Sequence, residues 1–537
     1  MWIPSPYEIY HLSLANKAFH SAISPQIYKC LNTHSREGGP QWLHEATLRG
    51  WHALALHLLE AGADPLEPAH DDDSTALQRA LRVGNSALAE AMLDRGINIK
   101  DHAKEMKAAL WAATMAGNTT AAQVLLDRGV GIDDPIRRIW TALHLLADKG
   151  GQIDAINWVL ERGANVNVRT PNGGTPLHLA TVKGDVEAMR LLLRYGAEIE
   201  AREIDGRTPL HAAGLNGSRE AMQCLIEHGA NVEAQDTFDT KRPIHYVALI
   251  GAVDMTKLLL AGGADVDARA DGGHTPLHCA IANGNAELAQ YLIEQGADVD
   301  SRDDLGYAAV HLATSGEQEI LELVIERGAD IYARLNTGWT ALHCAATTDS
   351  IPPIERLLEL GLDINQRCES GETPLWAAAR YGSGTNVQLL LDKGADPEIP
   401  ADGPEGGDSW TPLSMASWQG NTSAVEVLIN HGVNVQALTN LGCNALHQSA
   451  KTGHKDVARL LLAAGVDVNG QCGDGNTPLH LAAAEGHDDV LLLLLDYKPD
   501  TSLKNKDGRT AADMAWPGMD GGVLAQLQPR GICEGLV

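Results

Sequence analysis

One pattern constrains this 537-residue chain more than any other: the tetrapeptide Thr-Pro-Leu-His returns every thirty-three residues or so. It stands intact at Thr175–His178, Thr208–His211, Thr275–His278 and Thr477–His480. Close variants begin at Thr141, Arg242, Ala308, Thr340 and Asn444, each with His in fourth place, while Thr373-Pro-Leu-Trp376 and Thr411-Pro-Leu-Ser414 change that last residue. Weaker copies begin at Gln41, Thr75, Ala108 and Thr510. Fifteen units therefore start at 41, 75, 108, 141, 175, 208, 242, 275, 308, 340, 373, 411, 444, 477 and 510. The steps are 33 or 34 residues, apart from 32 after Ala308 and 38 after Thr373. Repetition on this scale belongs to stacked architectures in which each unit touches chiefly its neighbours.

Each unit has a physical reading. Thr can cap a helix start, and Pro in the first helical position loses no needed hydrogen bond. Leu177 and Ala180 share one helical face, and Gly184 ends this short first helix. A second helix is expected from Val186, Met189, Leu192 and Leu193, stopping at Gly196-Ala197. An extended acidic stretch then leads through a Gly turn to the next Thr. Helices this short cannot bury an apolar face alone, so stability must come from stacking.

These residues resemble the ankyrin repeat family, and the resemblance covers about residues 41–530. It implies an all-α repeat solenoid of helix–loop–helix units with short projecting β-hairpins, curved around a concave binding groove. The last unit, Thr510-Ala-Ala-Asp513, runs into Pro517-Gly518 and suits a C-terminal cap, leaving 531–537 as a short tail. Residues 1–40 lie outside the period. The stretch from His11 through Phe19-His20 and Ile23-Ser-Pro25 to Tyr28 resembles the second half of an F-box, as found before ankyrin arrays in filamentous fungi. Ile3-Pro4 and Glu8-Ile9 resemble its opening, but the middle is missing, which argues against a complete three-helix F-box. The plainer reading of 1–40 is a helix capping the first repeat; the alternative is a segment that docks a Skp-type ubiquitin-ligase adaptor.

Composition fits the stacked reading and narrows the function. The chain holds 54 Gly and only 2 Phe, so apolar residues should pack in thin layers of Ala, Leu, Val and Ile. Its 70 acidic and 41 basic residues give a formal net charge of −29. Neutralising phosphates takes clustered Lys and Arg, so this balance argues against a nucleic-acid partner and against an anionic membrane surface. No window approaches the roughly 18 apolar residues of a spanning helix, and Met1-Trp-Ile-Pro-Ser-Pro6 lacks the regions of a secretory leader. Eight scattered Cys without a Cys-x-x-Cys pair read as reduced thiols and point to the cytoplasm, the nucleus or both.

Signs of chemistry are few. Ten of the 22 His residues occupy the fourth place of the tetrapeptide, where the family resemblance implies a local hydrogen-bonding role. The remaining His residues show no His-x-x-x-His on a shared helical face, and no Gly-x-Ser-x-Gly, Walker or intact dinucleotide motif is present, so we expect no catalytic residue, bound metal or cofactor. Acidic strings such as Asp298-Val-Asp300-Ser-Arg-Asp303-Asp304 lack the ligand order of a calcium loop and read as a solvated hairpin edge. Cys279 and Cys344 read as small apolar fillers.

The expected function is that of a non-enzymatic scaffold or adaptor binding another protein, with the acidic rim favouring a basic partner. By the resemblance, contacts come from hairpin positions and from the end of the first helix. The residue just before each tetrapeptide includes Trp140, Arg207, Tyr307, Trp339, Trp410 and Arg509. The first helices of repeats eleven and twelve end in Arg380-Tyr381 and Trp418-Gln419. Tyr307, Trp339, Arg380, Tyr381, Trp410 and Trp418 thus form the candidate binding set, with flat packing of the Trp rings as its competitor. Trp376, in place of His, reads as packing. The same region holds the array's irregularities: a short repeat nine, Pro352-Pro353, and the insertion Ala401–Asp408. Two further readings are a ubiquitin-ligase substrate receptor working through the partial F-box, and a fragment of a larger ankyrin-containing enzyme or channel.

Overall fold

The computed structural model describes residues 42–69, 74–95, 101–136, 140–404, 406–518 and 521–527. The F-box-like segment and the 531–537 tail lie outside the described residues. Two compact units divide the chain, the first reaching Val247 and including Asp254–Ala264, the second comprising Ala248–Val253 and the residues from Asp265 on. Within each, short helices follow one another in pairs at the period of the tetrapeptide.

Repeat five shows why the sequence folds this way. Thr175 is extended (φ −104°, ψ 167°), Pro176 opens the helix Pro176–Lys183, and Gly184 closes it in the left-handed region at φ 69°. Asp185 then caps the second helix, Val186–Arg194, through the N–H of Ala188, and that helix buries Ala188, Met189, Leu191 and Leu192. In the second unit the apolar faces of successive pairs merge into one continuous core running from Ala248 to Leu527. Its buried members are Ala, Leu, Val and Ile with Cys279, which is the thin-layer packing that so Phe-poor a chain requires.

The tetrapeptide His joins one repeat to the next. Its Nδ1 accepts the backbone N–H of Thr175, Thr208, Thr275, Thr340, Asn444 or Thr477 at 3.1–3.2 Å. Because Nδ1 accepts, the ring proton sits on Nε2. From there it is donated to the carbonyl just before the next tetrapeptide: Arg207, Lys241, Tyr307, Glu372, Asn476 or Arg509, at 3.0–3.3 Å. One ring thus orders its own turn and fixes the following hairpin.

Hairpin carboxylates do a similar task, so the acidic edge is more than solvated charge. Glu200, Asp267, Asp300 and Glu398 accept the N–H of Asn231, Asp298, Asp330 and Asn434 in the following repeat at 2.7–3.0 Å. Arg302, Arg334 and Arg367 reach across in the same direction to the carbonyls of Arg334, Arg367 and Pro400 at 3.0–3.3 Å.

Departures from the period have local causes. In repeat three the first helix is Ala103–Met115, starting five residues before the expected Ala108. No Pro sets its beginning, and the run Ala-Lys-Glu-Met-Lys favours helix throughout. Repeat nine lacks one residue between its tetrapeptide and Gly316, so its helix, Ala309–Leu312, tightens into a 3-10 turn at Ala313–Ser315. There His311 donates to Ala333 instead. The insertion of repeat eleven forms a small antiparallel pair, Ala401–Asp402 with Ser409–Trp410. In the last unit Asp513 replaces His and accepts the Thr510 N–H at 2.9 Å, followed by the helix Gly521–Leu527.

Burial pushes His178, His343 and His447 down to about 4. A ring held neutral in the fold takes up a proton more readily once unfolded. Stability is therefore complete above the ordinary value of 6.5 and is lost as pH falls from there towards 4. Each such ring should cost about 2 kcal/mol by pH 5 relative to neutral pH. Urea unfolding at pH 7.5 and 5.0 measures the loss, and His447→Gln should make it smaller; equal stability at both values would contradict the assignment.

Candidate protein-binding surface

Repeats ten to thirteen, all in the second unit, carry the aromatic set. Trp339 lies half-buried, stacked on the His343 ring at 5.7 Å between centroids, and presents its edge towards Tyr381 at 6.4 Å. Its indole N–H donates to Glu372 Oε2 at 2.6 Å. Glu372 is buried, and its other oxygen lies 3.7 Å from the Arg380 guanidinium. Arg380 in turn stands 4.6 Å from the Tyr381 ring centroid and 5.5 Å from that of Trp376. A single buried carboxylate thus holds both the indole and the cation that flank Tyr381. The Tyr381 ring is 52% exposed.

The neighbouring cluster is built differently. Trp376, fully buried, donates its indole N–H to the Trp410 carbonyl at 3.2 Å. That is the bond the repeated His makes in six other repeats, here supplied by the larger indole. Trp410 is only 5% exposed, and its own indole N–H donates to Asp408 Oδ2 at 2.8 Å. Asp408 Oδ1 accepts the N–H of Leu441 in the next hairpin at 3.0 Å. Gly403 must be glycine here, since a Cβ would come within 2.4 Å of the Trp410 indole nitrogen. Trp418 is half-buried, edge-on to Trp410 at 5.4 Å, with the Lys451 ammonium 5.2 Å from its ring centroid.

The six expected contact residues therefore separate. Trp339, Arg380 and Tyr381 touch one another and Trp418 stands on the adjoining Trp410 cluster; these four partly or fully exposed side chains make up the candidate ledge. Trp410 is a correction: its ring belongs to a buried cluster with Trp376, Ala401 and Met415, because the insertion folds back over it. Tyr307 stands apart, half-buried with its ring edge-on to His311 at 6.2 Å, and burial pushes its phenol up.

Several residues escaped the sequence reading. Glu372 and Asp408 look like ordinary hairpin acids, and only the fold shows that they are buried anchors. In the first unit Tyr246 donates to Asp236 Oδ2 at 2.6 Å and accepts from Arg207 Nε at 3.2 Å, a polar knot that pushes its phenol up to about 12, burial being the main cause. Ile204 and Phe238, each 80% exposed, stand in successive hairpins of that unit. One of the chain's two Phe residues is thus spent on solvent, a signal that the sequence already carried. Among the described residues no group of three or more His, Cys, Asp or Glu could hold a metal ion, and no helix is long and apolar enough to cross a membrane.

The division between ledge and core has measurable consequences. Trp410→Ala should lower stability by about 3–5 kcal/mol, as expected for emptying a buried indole site. Tyr381→Ala should cost less than about 1 kcal/mol. Denaturant unfolding of the two variants checks the contrast, and equal losses would place both rings in the core.

The family model described as ankyrin repeats in three copies matches residues 96–170, 143–236, 244–335, 332–401 and 399–472. A second, ankyrin repeats in many copies, matches 461–515. None of the curated proteins matches the chain. Among solved structures, the crystal structure of the human ASB11 ankyrin repeat domain is 29% identical, covers 41% of this chain and 97% of that one, and gives a TM-score of 0.38. With family models in register over most of its length and helix pairs at the same period, the chain belongs to the ankyrin repeat family.

Proposed function

We propose that this protein is a scaffold or adaptor that binds a protein partner on the ledge formed by Trp339, Arg380, Tyr381 and Trp418. Ankyrin repeats are protein–protein interaction modules, and the observation that gives this chain a particular surface is Tyr381. Its half-exposed ring is held in place before any partner arrives, by Trp339 on one side and Arg380 on the other, both fixed by the buried Glu372. A preordered aromatic ring loses little conformational entropy on binding, the property of an interface anchor. The partner would offer an apolar pocket to Tyr381 and basic residues to the surrounding acidic hairpins, consistent with a net charge of −29. The reading needs no catalytic group and no cofactor, and it places the protein in a reducing compartment, the cytoplasm or nucleus.

The test is affinity purification of the full chain alongside a Tyr381→Ala/Trp418→Ala variant of matched melting temperature. At least one partner should be lost, with affinity falling by about 2 kcal/mol, roughly thirtyfold in Kd, once that partner is in hand. Binding should also weaken as salt rises, because charge steers the encounter. An unchanged partner set at unchanged stability sinks the ledge as the binding surface.

A further inference from the structure

Stacking brings together two cysteines that lie almost a repeat apart in the sequence. Cys443 precedes the tetrapeptide of repeat thirteen, and Cys472 opens the turn leading into repeat fourteen. Their hairpins are laced together: Gly473 N–H donates to the Leu441 carbonyl at 2.6 Å. A Cβ on Gly442 would stand 3.7 Å from the Cys472 Cα. Both thiols are free and partly exposed, and each perturbs the ionisation of the other. Both line one pocket of about 360 Å³, with Asp408, Trp410, Lys451 and Asp474 around them.

The two sulfurs are not equivalent. Cys443 and the backbone amides of Asp474 and Asn476 beside it hold the Cys472 thiol below the usual range. Cys443, beside Cys472 and partly buried, is held above it. Elsewhere burial pushes Cys344 up to about 12 and raises Cys224, so those thiols keep their protons. The pocket therefore holds a nucleophile and a second thiol within reach of it, the arrangement from which exchange chemistry proceeds.

We propose that Cys443 and Cys472 form a thiol–disulfide exchange site that small disulfides such as oxidised glutathione close into an inter-repeat disulfide. The Cys472 thiolate attacks one sulfur of the small disulfide, whose S–S bond breaks, and the departing thiolate takes up a proton. Cys443 then releases its proton, attacks the Cys472 sulfur and expels the second small thiolate, which is protonated in turn. The protein dithiol loses two electrons and two protons, and one small disulfide becomes two thiols. Closure requires the two sulfurs to approach to the roughly 2.05 Å of a disulfide, which the laced hairpins bring within the range of side-chain rotation. In a reducing compartment such bonds are transient, so the site would follow the local thiol balance.

The full-length protein is equilibrated in glutathione buffers of rising oxidised fraction, quenched with an alkylating agent and mapped by mass spectrometry. The expected product is one reducible cross-link joining the Cys443 and Cys472 peptides, while Cys224 and Cys344 stay alkylated. Cys443→Ser should accumulate a glutathione mixed disulfide on Cys472, and Cys472→Ser should leave Cys443 alkylated. Should either variant misfold, the wild-type map decides alone. The proposal is overturned if wild-type Cys443 and Cys472 both remain alkylated in the most oxidising buffer, if Cys472 holds only glutathione, or if either pairs with another cysteine.

Discussion

In six of the repeats the stack is joined by a bond that one ring makes to the next repeat. A helix pair such as Pro176–Lys183 and Val186–Arg194 is too short to be stable alone. Its apolar face needs a neighbour, and the neighbour must be held in register. The histidine does this from a buried position: Nδ1 fixes its own turn, and Nε2–H fixes the next hairpin at the carbonyl just before the following tetrapeptide. Burial makes the bond strong and forbids the ring a charge, so the device that couples the repeats also ties their stability to pH.

That carbonyl belongs to the residue whose side chain the sequence offers to a partner. The backbone of Tyr307 or Asn476 is thus held from behind while the side chain is free to vary. This explains how an array can keep a uniform core and still carry a particular surface. Where repeat eleven is lengthened, the same constraint is met by a different residue. Trp376 makes the inter-repeat bond, and Trp410 is buried beside it in one cluster with Ala401 of the insertion.

The repeat period, the helix starts at Thr-Pro and the layer chemistry were legible in the sequence because each depends on residues a few positions apart. The early start at Ala103 was not, since without Pro or Thr nothing local marks where that helix begins. Trp410 was misread for a related reason: its position in the period is mostly half-buried in the other repeats, and the further burial comes from an insertion whose path the sequence does not state. Glu372 and Asp408 were invisible as anchors because their partners, Trp339, Arg380 and Leu441, come from other repeats or other elements. Cys443 and Cys472 were read separately as reduced thiols, and only stacking made them a pair.

The ledge and the dithiol meet at one side chain. Lys451 lines the pocket that holds both sulfurs and also stands 5.2 Å from the Trp418 ring centroid. The hairpins between them are bonded in series, from Asp408 to Leu441 and from Leu441 to Gly473. A cross-link from Cys443 to Cys472 would tighten the last of these junctions and reshape the wall against which Lys451 rests. Tyr381 lies at the other end, held by Glu372 through contacts that do not pass through this pocket.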